Sequence, residues 1–359
     1  MKSKRIFWVT LLAAFLACGM LASCGGDDHQ TPPALSGDGG DDDGGDGGDG
    51  GDDGQDEDGY PAGLTVETFT DELSGGGECL GFYAVVDFKA NPKLLFRPKF
   101  SGAKTPTTYF ADFAESGEGT PYVVVNGGYF GGSTSVSLLI EEGEMKSMAA
   151  RSDVCNGQTY YPVRAAFGQM ADGSFETTWV YCLRAADNSF YPYAYPSPLD
   201  NDERTETFMP EPPTETTAGA YVWEPQYAIG AGPMLVYEGE NVAEENYWKE
   251  VFEHGGVSGM SRHPRTALGA TADGKLVVLV CDGRGKRGST GFTLPELADK
   301  MISLGCVRAI NLDGGGSSTF VGKEGTVLNM PSDTQGTTLE GATIVQRRIP
   351  TAVVIAEAK

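Results

Sequence analysis

The sequence predicts a strand-rich, mixed α/β domain with a cleft where several strands end. Three observations carry this prediction. Seven short runs rich in β-branched, aromatic and apolar residues read as strands: 82–88, 122–125, 179–183, 234–237, 276–281, 307–312 and 352–356. One helix is marked between two of them: Thr293 and Glu296 have capping-box spacing, Leu294, Leu297, Ala298, Met301 and Ile302 form one apolar stripe, and Gly305 is placed to end it. Finally, an apolar strand runs straight into Asn-Gly or Asp-Gly three times, at Asn126-Gly127, Asp282-Gly283 and Asp313-Gly314. Strand 276–281, the helix and strand 307–312 together make a βαβ unit. If its strands are parallel, their carboxyl ends share the sheet edge where ligands of such units gather.

From the N-terminus, Lys2, Lys4 and Arg5 precede an apolar run over 6–21 and then Leu21-Ala22-Ser23-Cys24. Residues 1–23 read as a secretory signal, too short and wrongly flanked for a membrane span. The Leu-Ala-Ser-Cys ending resembles a bacterial lipobox. That resemblance implies a lipidated Cys24, acyl tethering, and placement at a bacterial outer membrane or cell surface. Residues 24–58 continue into a Gly and Asp tract that buries nothing and repels itself, so it reads as a solvated stalk. An acidic stretch soon after a lipid-bearing Cys resembles the surface-export signal of Bacteroidetes lipoproteins, although Gly25 and Gly26 intervene.

The whole chain carries a net charge of −24; residues 59–359 hold 23 basic and 37 acidic side chains, a net −14. That sign argues against nucleic acid as a partner. An anion site must then rest on a local cluster, and Arg262, Arg265, Lys275, Arg284, Lys286 and Arg287 supply one against Asp273 and Asp282. Residues 59–359 suit one large domain. Residues 187–225, with seven prolines, read as an insertion that forms a rim or lid. Outside the signal and Cys24, five cysteines remain, an odd number, and Cys155 with Cys182 is the pair to test for a disulfide. Of three histidines, His29 is in the stalk, and His254 and His263 lack zinc-site spacing, so no metal or cofactor is assigned. An oxygen-ligated Ca²⁺ or Mg²⁺ stays open.

The run Asn311-Leu-Asp-Gly-Gly-Gly-Ser-Ser-Thr-Phe320 is the most informative stretch. Consecutive glycines let a backbone approach a ligand and turn successive N–H groups onto an anion. A Gly-rich hairpin turn with a solvated Asp313 is the bland alternative. Asn126-Gly-Gly-Tyr-Phe130, Gly230-Ala-Gly-Pro-Met-Leu-Val236, Arg265-Thr-Ala-Leu-Gly269, Asp282-Gly-Arg284, Thr293-Leu-Pro-Glu-Leu-Ala298 and the Asn311 run follow one another in this order. Together they resemble the phosphodiester glycosidase family, from about Phe82 to Ala356.

The resemblance implies hydrolysis of a sugar-1-phosphodiester, such as a GlcNAc-1-phospho-mannose diester, with release of sugar and phosphomonoester. It implies a cleft holding Asn126, Gly127, Gly128, Arg265, Thr266, Asp282, Arg284, Asp313, the Gly314, Gly315 and Gly316 amides, Ser317 and Ser318. An arginine near the last strand is also expected, either Arg347 or Arg348, and Arg348 is taken for the site. In this reading Arg265 holds the phosphate, Asp313 is nucleophile or base, Asp282 orients Arg265 or a sugar hydroxyl, and Asn126 binds the sugar. Exchanging the two aspartates stays open, and so does a plain Arg265–Asp282 ion pair. A glycan-binding lipoprotein with Tyr191, Tyr193 and Tyr195 as a platform is one alternative. A transferase using the same cleft is another.

Overall fold

The computed structural model describes residues 59–359; the signal segment, Cys24 and the acidic stalk lie outside them. Among the described residues, no helix is long and apolar enough to cross a membrane.

Three larger antiparallel sheets build the domain, with two two-stranded sheets beside them among the described residues. The first has the spatial order Leu64–Glu72, Glu78–Val86, Leu276–Cys281, Arg265–Thr271, Cys306–Asn311, Met234–Tyr237 and Glu240–Asn241. The second is Phe320–Val321, Gly119–Asn126, Ile349–Ala358 and Leu94–Lys104. The third is built on Phe175–Arg184, Arg164–Gln169 and Tyr227–Gly230. Val278, Val280 and Ile310 of the first sheet, Val123 and Val353 of the second, and Phe167 and Trp179 of the third meet in one core. Phe96, Phe167 and Phe175 sit at its heart, their ring centroids 5.1–5.8 Å apart.

All seven predicted strands are present, most of them longer than their apolar runs. The helix spans Leu294–Ser303 and carries the full capping box, with the Thr293 side chain accepting from the Glu296 N–H. Gly305 follows at φ 86°, the left-handed position that releases the chain from the helix. Leu297, Ala298 and Met301 bury its stripe against Ala267, Leu279 and Ala309, on the far face of the first sheet from the main core.

The βαβ reading needs one correction. Strands Leu276–Cys281 and Cys306–Asn311 do run the same way, but each pairs antiparallel with Arg265–Thr271, which lies between them. Their carboxyl ends therefore share an edge two strand spacings apart, about 10 Å, and the start of the Arg265 strand sits between them.

Residues 187–225 are also more regular than their prolines implied. Phe190–Tyr195 pairs with Phe175–Arg184 and extends the third sheet. Tyr195 is fully buried while Tyr191 is 46% exposed, so the three tyrosines form no common platform. Cys155 and Cys182 are not joined: the five described cysteines are all buried free thiols. The Cys182 thiol faces the Met145 sulfur at 3.8 Å, and Cys155 faces Glu203.

Candidate active site

Where strand ends of the first and second sheets meet, a cavity of about 480 Å³ opens, a size suited to a small ligand. Asp313, Gly314, Gly315 and Gly316 form one side. Arg164, Arg265, Arg284 and Arg347 all line it, against the carboxylates of Asp313 and Asp153. In a domain of net −14, four arginines around one hollow are a strong local reversal of charge, fitted to an anionic ligand.

Asp313 is held by its backbone. Its N–H donates to Gly127 O (3.1 Å), and its carbonyl accepts from Asn126 Nδ2 (2.6 Å). Its own Oδ1 accepts the Gly314 N–H at 2.9 Å. Burial pushes its pKa up to about 6, while the Ser317 hydroxyl, the Gly314 N–H and the Arg347 charge pull the other way. No partner of Ser317 Oγ meets hydrogen-bond geometry, so its contact with Asp313 is a weak one. A carboxylate poised near pH 6 is suited to general-base or nucleophilic work.

The glycine loop is less open to an anion than three successive amides promised. The Gly314 N–H is taken by Asp313, and the Gly315 N–H donates to Pro264 O at 2.9 Å. The glycines instead make room for arginines. At Gly316 an added Cβ would lie 2.1 Å from Arg347 Nη2 and 2.2 Å from Asp333 Oδ1; at Gly315, where φ is 62°, it would lie 3.1 Å from Arg284 Nη2. Arg347 is oriented by Asp333 through two parallel hydrogen bonds, Nε at 3.0 Å and Nη2 at 3.1 Å. Arg284 reaches Ser332 Oγ (3.3 Å) and His263 Nδ1 (3.4 Å). The His263 pKa is lowered by burial, then by Arg265 and Arg284, so the ring is a neutral acceptor there.

Several residues expected in the cleft stand behind it. Asp282 does not line the cavity. Its Oδ1 accepts from Met330 N (2.8 Å) and Asn329 Nδ2 (3.0 Å), and its Oδ2 lies 3.3 Å from Arg287 Nε. It thus pairs with Arg287 rather than Arg265, and burial raises its pKa to about 6. Asn329 passes the brace forward by accepting from Phe320 N (2.7 Å) and donating to Ser318 O (3.1 Å).

Arg265 does line the cavity, but it is 2% exposed and most of its donors are taken. It donates to Phe292 O, Val257 O, Ser258 O and Ser261 O at 2.9–3.3 Å, which ties the 257–261 turn to the strand edge. Asn126 is fully buried. Its Oδ1 accepts from Thr266 Oγ1 (2.7 Å) and Thr319 N (3.3 Å), so both ends of its amide face protein. Thr266 and Ser318 share that buried knot, 3.3 Å apart. Gly127 and Gly128 donate to Thr351 O (2.9 Å) and Thr351 Oγ1 (3.1 Å), and any Cβ at either would strike neighbouring backbone or side chain. Arg348 turns away to Ala103 O, and the neighbouring Arg347 takes the cavity position.

Arg164, Asp153, Tyr129 and His263 were not singled out for the site by sequence. Each lies on a different element, and no local spacing linked them. Tyr129 stood inside the Asn126 motif, which was the one available signal; its hydroxyl donates to Gly232 O and accepts from Asn311 Nδ2, both at 2.8 Å.

Fold and site define a protein of three larger antiparallel sheets with an arginine-lined cleft at its strand ends. The chain belongs to the phosphodiester glycosidase family, whose pattern matches residues 119–356. It is 46% identical over 69 residues to N-acetylglucosamine-1-phosphodiester alpha-N-acetylglucosaminidase of Bos taurus, a stretch covering 19% of this chain and 12% of that protein. It is 44% identical over 72 residues to the SPbeta prophage-derived protein YomE of Bacillus subtilis (strain 168), covering 20% of this chain and 11% of the relative. The matched stretches thus span only a small part of these relatives. The zebrafish N-acetylglucosamine-1-phosphodiester alpha-N-acetylglucosaminidase catalytic domain, auto-inhibited by its pro-peptide, superposes with a TM-score of 0.53 at 18% identity, over 84% of this chain and 86% of that one. At that identity the likeness speaks for the fold alone.

Proposed function

We propose that this chain hydrolyses a sugar-1-phosphodiester, of the GlcNAc-1-phospho-mannose kind, at the bond between the anomeric carbon and the phosphate oxygen. The observation that carries this is Asp313: a carboxylate with a pKa near 6 on the wall of a cavity that also holds four arginines. Such hydrolysis passes through an oxocarbenium-like state and needs a carboxylate at the sugar carbon. Phosphate is a weakly basic leaving group, so it calls less for a proton donor than for forked guanidiniums. Arg284 and Arg347 hold it, flanking the glycine loop, and Gly316 lines the same space. Asp313 either attacks the anomeric carbon or takes the proton of the attacking water. The water oxygen ends on the sugar, and the electron pair of the broken C–O bond leaves with the phosphate. Asp282, Arg265, Asn126, Thr266 and Ser318 act through the backbone they hold. The names of the relatives support the choice of sugar.

In this reading the protein is exported and tethered through Cys24, and meets its substrate outside the cell. The lipobox-like Leu21-Ala22-Ser23-Cys24 and the acidic stalk support that placement.

The test is incubation of the full chain with an α-GlcNAc-1-phospho-mannose diester in ¹⁸O-water, read by mass spectrometry. Label on the free sugar with unlabelled mannose phosphate is the expected result. Label in the phosphate would mean P–O cleavage and would overturn the carbon-centred mechanism. Sugar passed to an added alcohol in preference to water would make the chain a transferase.

A further inference from the structure

Beside the cavity, three residues distant in sequence converge. Cys155 ends the strand Asp153–Cys155, Glu203 opens a short 3-10 turn, and His254 follows the helix Ala243–Lys249. The Cys155 sulfur, a Glu203 carboxylate oxygen and a His254 ring nitrogen all lie within 4.8 Å of one another. We propose that these three side chains bind a zinc-class divalent ion, with water as the fourth ligand, and that the ion locks the 254–258 loop bordering the cavity.

A thiolate, an imidazole and a carboxylate are the donors that suit zinc, and their mixture disfavours calcium and magnesium, which take oxygen alone. Metal–ligand bonds of about 2.0–2.3 Å would set the donors roughly 3.3–3.8 Å apart. Cys155 and Glu203 already stand at 3.9 Å, and His254 is exposed, so its ring can turn to close the remaining gap.

Glu203 is oriented in advance. Its two carboxylate oxygens accept the backbone N–H groups of His254 (2.7 Å) and Glu253 (3.1 Å), which leaves lone pairs for a cation. Cys155 packs on Tyr160 and Val251, so one flank of the site is dry. Burial first, and then the charges of Glu203, Glu206 and Asp153, push the Cys155 thiol pKa up. A divalent ion relieves that crowding of negative charge: on binding, the thiol proton passes to solvent and the thiolate becomes a ligand.

The consequence for the cleft follows from position. Asp153, two residues before Cys155, lines the cavity, as do Gly255, Gly256, Val257 and Ser258, next to His254. Val251 and Ser258 carry left-handed backbone, at φ 59° and 51°, on either side of this loop. An ion would tie the loop to the strand bearing Asp153 and to the segment bearing Glu203. Spacing along the chain could not reveal such a site, because its ligands lie about fifty residues apart.

The proposal does not depend on the proposed hydrolysis, since metal binding is read directly. Cobalt(II) is added to the full-length chain and the thiolate-to-cobalt absorption band is followed, with zinc as competitor. A band that saturates at one ion per chain and disappears on zinc addition is expected. Cys155→Ser should abolish the band, and His254→Ala, at an exposed position, should weaken cobalt binding at least about 10-fold. Zinc should raise the unfolding temperature of the parent chain but not of Cys155→Ser. The acidic stalk can bind cobalt weakly through oxygen, and because Cys18 and Cys24 also carry sulfur, only a band lost in Cys155→Ser reports this site. A folded parent chain without that band, or a band kept unchanged in both variants, would overturn the proposal.

Discussion

The loops that begin Asp282-Gly283-Arg284 and Asp313-Gly314-Gly315 follow parallel strands, share one sheet edge and read alike, yet only the second brings its carboxylate to the cavity. Strand parity explains the difference. In Leu276–Cys281, the odd-numbered Val277, Leu279 and Cys281 face the helix layer, while Val278 and Val280 face the main core. Alternation then sends Asp282 to the core side. In Cys306–Asn311, Ala309 faces the helix layer and Ile310 the core, as does Leu312 beyond it, so Asp313 turns toward the helix side. Arg265 shares that parity through Ala267 and reaches the cavity as well. Two like motifs at one edge therefore give one carboxylate on the cavity wall and one brace behind it.

The sharpest way to break this comparison is to change each aspartate to its amide. Asp313→Asn should lower turnover by about 10³-fold or more while leaving the unfolding temperature nearly unchanged. Asp282→Asn should do the reverse. It removes the ion pair with Arg287 and disturbs the hold on Asn329 and Met330, costing about 1–3 kcal/mol of stability in chemical denaturation, with a smaller loss of turnover. Equal losses of turnover with equal stability would return both residues to the chemistry.

Next in size are the arginines. Arg347→Ala and Arg284→Ala should each reduce kcat/KM on the order of 10²-fold. Arg348→Ala, whose Nε donates to Ala103 O outside the cavity, should leave it close to the parent value. Steady-state kinetics on the three variants decides this, and a large effect at Arg348 alone would contradict the placement of Arg347.

The pH dependence sharpens the comparison further. In the proposed mechanism Asp313 acts ionised, so kcat/KM should rise with pH through an apparent pKa of about 6 and fall below it. Stability should move the opposite way. Asp282 and Asp313 are both raised from 3.8 to about 6, and Glu250 from 4.5 to about 7, in each case chiefly by burial. The folded state therefore holds protons that the unfolded chain has already lost. That contribution is complete below pH 4 and is gone once pH exceeds 7, so denaturation midpoints should fall across this window as activity climbs.

The smallest effect is expected far from the edge. Thr293→Ala removes the side-chain acceptor of the capping box and should cost about 1 kcal/mol without altering kcat.

Much of the fold was legible because its signals are local. Continuous apolar runs marked seven strands, although Arg265–Thr271, the middle strand of the first sheet, was not among them, and the Thr293–Glu296 box marked the helix. Strands Leu64–Glu72 and Leu94–Lys104 were missed because they lie nearer sheet edges, with exposed polar positions breaking up their apolar residues. The helix Pro106–Ser116 was missed although Thr105 caps it and Pro106 opens it; Tyr109 and Phe113, four residues apart, bury the face that Phe110 flanks. Within the site, the glycines of the Asn311 run were visible, but their purpose was not. They make room for Arg284 and Arg347, which come from elsewhere in the chain.

By itself the sequence determined seven of the strands, where the helix Leu294–Ser303 begins and ends, and which loops carry polar groups off strand ends. Each of these depends on neighbours within a few residues. Only the tertiary structure decided which polar groups meet. Whether Asp282 or Asp313 faces the cavity depends on which way each strand presents its odd and even residues to layers assembled from the whole domain. Whether Arg347 or Arg348 reaches the glycine loop depends on Asp333, fourteen residues earlier, being there to hold it.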